Sequence, residues 1–133
     1  MTVDITSLEK AVQRLTEGLA RAQQSPADDQ LRDGLIQRFE FTYELSHKTL
    51  KRYLESISAT PAQYDAMPFQ DLIRSGNEVG LLLSDWPAWR QFRELRSMTS
   101  HTYNEAKALQ VARAIPAFLA EAQHLLTQLR QRL

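Results

Sequence analysis

The chain has 133 residues, no cysteine, and 16 Lys and Arg against 16 Asp and Glu, for a formal net charge of zero. That length suits one domain with its own core, and the missing thiols exclude disulfides, thiolate metal sites and cysteine nucleophiles. Neutrality excludes a global electrostatic grip on nucleic acid, so a polyanion site has to come from a local cluster of arginines.

Only four glycines and five prolines interrupt a sequence dominated by Ala, Leu, Gln, Arg and Glu, a helix-forming composition. The opening Met1-Thr2-Val3-Asp4-Ile5-Thr6 lacks a basic region followed by an apolar run. No apolar stretch approaches the ~18–20 residues that span a bilayer. The expectation is one helical domain over residues 1–133, in the cytoplasm, with no membrane segment.

Ile5, Leu8, Val12, Leu15 and Leu19 step by three and four, which predicts a first helix capped by Asp4 or Thr6 and fading at Gln23-Gln24-Ser25-Pro26. Ser25-Pro26-Ala27-Asp28 then reads as a helix start, with Ser25 as N-cap, Pro26 first in the helix and Asp28 third. The second helix runs to about Ser56 with two apolar rows, Leu31, Leu35, Phe39, Thr42 and Ile36, Tyr43, Leu50, Leu54, Ile57. A face this broad suits either the centre of a bundle or contact with a second subunit.

Residues Ser58 to Asp65 read as loop. A third helix is expected from Met67-Pro68 with Phe69, Leu72, Ile73, Val79 and Leu82 on one side. Gly76 and Gly80 within it signal either a close helix approach, or two tolerated glycines or an early helix end. Ser84-Asp85-Trp86-Pro87 opens a fourth helix whose Trp86, Trp89, Phe92 and Leu95 are spaced as core or interface anchors. Arg90, Arg93 and Arg96 step along it at intervals of three. In the last helix Val111, Ile115, Phe118, Ala122, Leu125 and Leu129 form a bundle seam, with a kink or short break expected at Pro116. No strand-like alternation persists. The fold class is therefore all-α, an antiparallel four-helix bundle with an additional short helix.

Between the last two helices lies Arg96-Ser97-Met98-Thr99-Ser100-His101-Thr102-Tyr103-Asn104-Glu105, where a strong base, an imidazole, a phenol and several hydroxyls crowd together. Thr102 and Glu105 fit a capping box that puts Tyr103 in the first turn of the last helix. His101 would then precede that helix, beside free amides and the positive end of its dipole, a place for a phosphate. On one continuous helix Arg96 and His101 would lie about 140° apart; a turn between them lets them cooperate. Arginine offers a planar fork for phosphate oxygens and histidine transfers protons near neutral pH. The pair suffices for cleaving RNA without metal or cofactor, His101 helping to deprotonate the ribose 2′-hydroxyl and Arg96 stabilising charge at the phosphorus. The residues alone leave open two other roles: gripping phosphate without turnover, and a pure interaction bundle.

Arg96-x4-His101-x-Tyr103 resembles the Arg-x4–6-His motif of the HEPN superfamily. The block from Gln37 to Lys51 and the run Ser100 to Glu105 resemble its HepT-like, nucleotidyltransferase substrate-binding group over nearly the whole chain. The resemblance implies a dimerising helical bundle similar to the C-terminal domain of kanamycin nucleotidyltransferase. It implies a toxin that cuts single-stranded RNA, with Arg96 and His101 as the ribonuclease pair across a dimer cleft. It further implies a separate small nucleotidyltransferase chain as antitoxin, and gives Tyr103 as a hydroxyl to which that partner can attach AMP. The alternative is a non-catalytic nucleotide- or substrate-binding subunit of a two-chain nucleotidyltransferase. Two positions depart from the group: Ser97 follows the motif arginine where Asn, Asp or His is common, and His47 stands where tryptophan is usual. His47 reads as solvent-facing or as a second titratable group, and His124 as a surface residue.

Overall fold

The apolar stripes become five helices in the computed structural model, which describes residues 3–133: α1 (Thr6–Gln24), α2 (Asp29–Ser56), α3 (Phe69–Glu78), α4 (Trp86–Met98) and α5 (Glu105–Arg132). Single 3-10 turns occupy Pro61–Tyr64 and Thr99–His101, and no strand occurs among the described residues. Nor is any of these helices long and apolar enough to cross a membrane.

The long helices α1, α2 and α5 pack along one another, and α4 lies against α5. Short connections between neighbours make the bundle antiparallel. From α1 the residues Leu8, Val12 and Leu15 are buried, and Ile5 and Leu19 pack at the margin. From α5 the whole seam Val111, Ile115, Phe118, Ala122, Leu125 and Leu129 is buried. Helix α2 is central, burying Leu35, Ile36, Phe39, Tyr43, Leu50, Tyr53 and Leu54, while Ile57 at its end stays exposed.

The middle of the core is aromatic. Phe118 of α5 meets Phe39 of α2 edge-on at 5.0 Å, Phe92 of α4 at 5.3 Å and Trp89 of α4 at 6.1 Å. Tyr43 joins the cluster at 6.3 Å from Trp89 and 6.1 Å from Phe118. Edge-to-face pairs of this kind add to area burial. Trp89 is thus a core anchor, and Trp86 packs against Phe69 at the rim.

Several helix ends differ from the sequence expectation. Asp28, not Ser25, caps α2: its carboxylate accepts from the N–H groups of Gln30 and Leu31 at 3.0 Å, while Ser25 ends α1 and its carbonyl accepts the Asp28 N–H. Helix α3 stops at Glu78, because Gly80 adopts a positive φ of 80° and closes a Schellman motif. In that motif the Leu81 N–H reaches the Gly76 carbonyl at 2.9 Å and the Gly80 N–H reaches the Asn77 carbonyl at 3.0 Å. Val79 is left exposed, and Leu82 is buried from the loop beyond. Gly76 serves a close approach, since a Cβ there would meet Leu50 at 3.0 Å. His124 lies at the surface, partly covered, and its Nε2 is 3.2 Å from the Gly80 carbonyl. Pro116 does not break α5, whose buried Ile115 and Phe118 hold both halves to the core.

Replacing Phe118 by Ala removes the ring that touches α2 and α4 together. The expected loss is about 3–5 kcal/mol of unfolding free energy, read from urea denaturation. A loss below ~1 kcal/mol would show that the aromatic cluster does not bind these helices together.

Candidate active site

Burial of Trp89, Phe92 and Leu95 fixes the roll of α4 and turns Arg96, in its last turn, toward α2. There two carboxylates one helical turn apart receive it. Arg96 Nε donates to Glu44 Oε1 at 3.0 Å, and NH2 lies 3.4 Å from Glu40 Oε1. NH1 donates to Thr99 Oγ1 at 3.3 Å, whose own hydroxyl donates to the Arg96 carbonyl at 2.8 Å. The guanidinium is thus set in a fixed orientation with about a third of the side chain exposed.

Past Met98 the chain tightens into the 3-10 turn Thr99–His101 rather than continuing α4. This turn carries the chain from the end of α4 toward the start of α5. His101 is exposed, and its ring meets Tyr103 edge-on at 6.2 Å. Tyr103 is 87% exposed, the most solvent-facing large apolar side chain among those described. No hydrogen bond joins Arg96 to His101 among the described residues.

The expected capping box does not form. Asn104 is the N-cap of α5, its Oδ1 accepting from the Lys107 N–H at 3.2 Å. The Thr102 hydroxyl donates instead to the Thr99 carbonyl at 3.3 Å. Glu105 becomes the first helical residue instead of the third, and its carboxylate forms a two-pronged pair with Arg32 of α2 at 2.8 and 3.0 Å. That pair, through its hydrogen bonds and then its charge, lowers the Glu105 pKa and raises that of Arg32. Tyr103 therefore lies before the helix, not in its first turn. The Ser97 hydroxyl donates back to the Glu94 carbonyl at 2.6 Å, so it serves its own helix.

Arg96 and Ser97 open onto a cleft of about 410 Å³ between α2, α3 and α4, shared with Arg93, Glu44, His47 and Phe69. His47 is not solvent-facing. It is half-buried, edge-on to Phe69 at 4.7 Å, and Arg93 stacks over the same Phe69 ring at 5.6 Å. Burial pushes the His47 pKa down; Glu44 opposes this, and Lys51, Lys48 and Arg93 push it further down. Burial also pushes the Tyr43 phenol up to about 12. His101 is not among the residues lining this cleft. Among the described residues no three His, Asp or Glu side chains converge where a metal ion could sit.

Sequence reasoning missed Glu40 and Glu44 as partners of Arg96. Their signal was present as an acidic pair at i, i+4 in the block preceding His47, but only the roll of α4 decides which arginine meets them.

A family model described as nucleotidyltransferase substrate binding protein like matches residues 3–131. A Haemophilus influenzae protein named probable ribonuclease HepT is 40% identical over 127 residues, 95% of this chain and 86% of that protein. A solved Haemophilus influenzae structure, described as the fold of a substrate binding domain of a nucleotidyltransferase, superposes with a TM-score of 0.89 at 35% identity, covering 96% of this chain and 99% of that one. A crystal structure from Thermus thermophilus gives a TM-score of 0.70 at 35% identity over 92% and 98% of the two chains.

The lowered pKa of His47 means that the fold prefers its neutral form. Stability from this group is complete above the ordinary imidazole pKa and is lost as pH falls through the lowered one. Urea midpoints measured between about pH 7.5 and 5.5 should fall in the parent and fall less in His47→Gln. Equal slopes would remove His47 as the titrating group.

Proposed function

The chain belongs to the family of nucleotidyltransferase substrate binding protein-like chains, and on that footing we propose that it is a HEPN-type toxin. In this reading it cuts single-stranded RNA as a homodimer, without metal, and is restrained by a cognate small nucleotidyltransferase. The observation that carries the reading is the junction itself. Arg96 is oriented by Glu40, Glu44 and Thr99 at a helix end, and an exposed His101 follows on a hydrogen-bonded turn. The relative named as a probable ribonuclease supports it.

In the proposed reaction the neutral His101 imidazole takes the proton of a ribose 2′-hydroxyl. The 2′-oxygen bonds to the adjacent phosphorus while the bond to the 5′-oxygen breaks, leaving a 2′,3′-cyclic phosphate. The departing 5′-oxygen takes a proton from the second histidine that a dimer supplies, which acts as the imidazolium and ends neutral as the first ends protonated. Arg96 donates to the non-bridging oxygens as charge grows there. Its ion pairs with Glu40 and Glu44 are partly solvated and weakly held, so a phosphate can exchange for them.

Restraint acts at Tyr103. The phenol attacks the α-phosphorus of a nucleoside triphosphate held by the partner, pyrophosphate leaves, and the phenolic proton is released. The attached nucleotide then sets negative charge and bulk beside His101, whose ring is 6.2 Å away. The high exposure of Tyr103 supports this role.

One observation favours a second reading. The Arg96 guanidinium faces a cleft with Arg93, His47 and Phe69 rather than His101, which suits a subunit that holds a nucleotide for a separate transferase.

Purified chain without partner should cut RNA in the presence of chelator and leave cyclic phosphate ends. His101→Ala and Arg96→Ala should each lower the rate by about 100-fold or more. Cleavage by His101→Ala at the parental rate sinks the nuclease reading, and nucleotide binding without turnover in an active transferase complex supports the second. With the partner and labelled ATP, Tyr103→Phe should take up no label; label retained in that variant places the modification elsewhere.

A further inference from the structure

A groove of about 430 Å³ between α1 and α2 is lined by Lys10, Arg14, Arg38 and Lys48, with Phe41 and Leu45 at its apolar part and a single carboxylate, Glu44. Arg32, Arg90, Arg96 and Arg130 each have an ion-pair partner, whereas none of the four cations in this groove has one among the described residues. The one carboxylate present is already engaged, since Glu44 accepts from Arg96. In a chain of zero net charge this is the local cationic cluster that a polyanion requires.

We propose that this groove is a track for single-stranded RNA leading to the Arg96 cleft, an inference that rests on the nuclease reading above. Phe41 is 55% exposed in the middle of the cations, and a half-exposed ring among positive charges is a stacking platform for an unpaired base. Arg38 keeps its place because NH1 donates to the Arg14 carbonyl at 2.7 Å, which ties α2 to α1 without neutralising either charge. Glu44 lines both the groove and the Arg96 cleft, so the two are separated by one side chain on α2. From Arg38 to Lys48 the helix rises on the order of 15 Å, room for a few nucleotides. A second copy of this chain seated by a two-fold on the same face would set like charges against like, which disfavours it as the occupant. A flat aromatic surface and continuity with the phosphate-gripping arginine favour RNA over an acidic polypeptide.

The test uses the full chain and a labelled oligouridylate bearing 2′-O-methyl groups, which has no 2′-hydroxyl to attack its phosphates and is followed by fluorescence anisotropy. Phe41→Ala should weaken binding about tenfold and Phe41→Tyr should restore it. Lys10→Ala with Lys48→Ala should flatten the dependence of log affinity on log salt by about 1.4 units. Unchanged affinity in these variants overturns the track and leaves the nuclease reading, which is tested on His101, in place. Groove-dependent binding by a chain that cuts no RNA upholds the track and removes the nuclease instead. Competition by polyglutamate as strong as by oligouridylate, with no effect of Phe41→Ala, makes the groove a site for acidic protein and overturns the proposal. A loss of dimer on Phe41→Ala, seen by light scattering with binding per chain unaltered, overturns it in favour of an interface between copies.

Discussion

The contact of Phe118 with Phe39, Trp89 and Phe92 is the constraint on which the rest of the molecule depends. One ring of α5 touches α2 and α4 together, so these three helices cannot roll independently. Interiors packed at crystal-like density transmit such constraints over several residues. With Trp89, Phe92 and Leu95 inward, Arg96 has one direction left, toward the carboxylates of α2. The apolar core therefore decides an electrostatic arrangement at the surface.

That arrangement joins opposing requirements. A lone guanidinium on a long side chain would lose rotamer freedom on binding a phosphate. Glu40, Glu44 and Thr99 have already restricted it, yet their grip is partly solvated and each contact is modest. Orientation is retained while exchange stays easy. Glu44 has a further consequence, for by occupying itself with Arg96 it leaves the α1–α2 groove with cations that lack an anionic partner among the described residues. His47 shares this setting: its burial against Phe69 and the surrounding cations favour a neutral imidazole beside the arginine.

Helical periodicity made most of the fold legible. The middle of the α1 stripe and the whole α5 seam are buried, and the broad face of α2 marks its central position. The candidate site stood in the sequence as a string of residue types between two helices. What escaped was decided at helix ends and across the chain. Ser25 and Thr102 are good capping residues, but Asp28 and Asn104 stand closer to the first hydrogen-bonded turn and offer oxygens at the right register. A sequence pattern shows candidates for a cap, whereas the loop geometry chooses among them. The pairings of Arg96 with Glu40 and Glu44, and of Arg32 with Glu105, span 52 to 73 positions where hydrogen-bonded and depend on packing that no local pattern encodes. Gly76 and Gly80 illustrate the same limit, since identical residues four apart serve a tight contact and a left-handed helix end.

The start of α5 at Glu105 instead of Tyr103 changes what the phenol can tolerate. Tyr103 belongs to no helical hydrogen-bond ladder and contributes almost no buried area. A group as large as a nucleotide can come and go on it without unwinding a turn or opening the core. A nucleotide attached there, as proposed above, would be decoupled from folding: chains with and without it should share one stability while differing in what can approach His101. A change at this position can therefore alter access to His101 while the fold stays as it is.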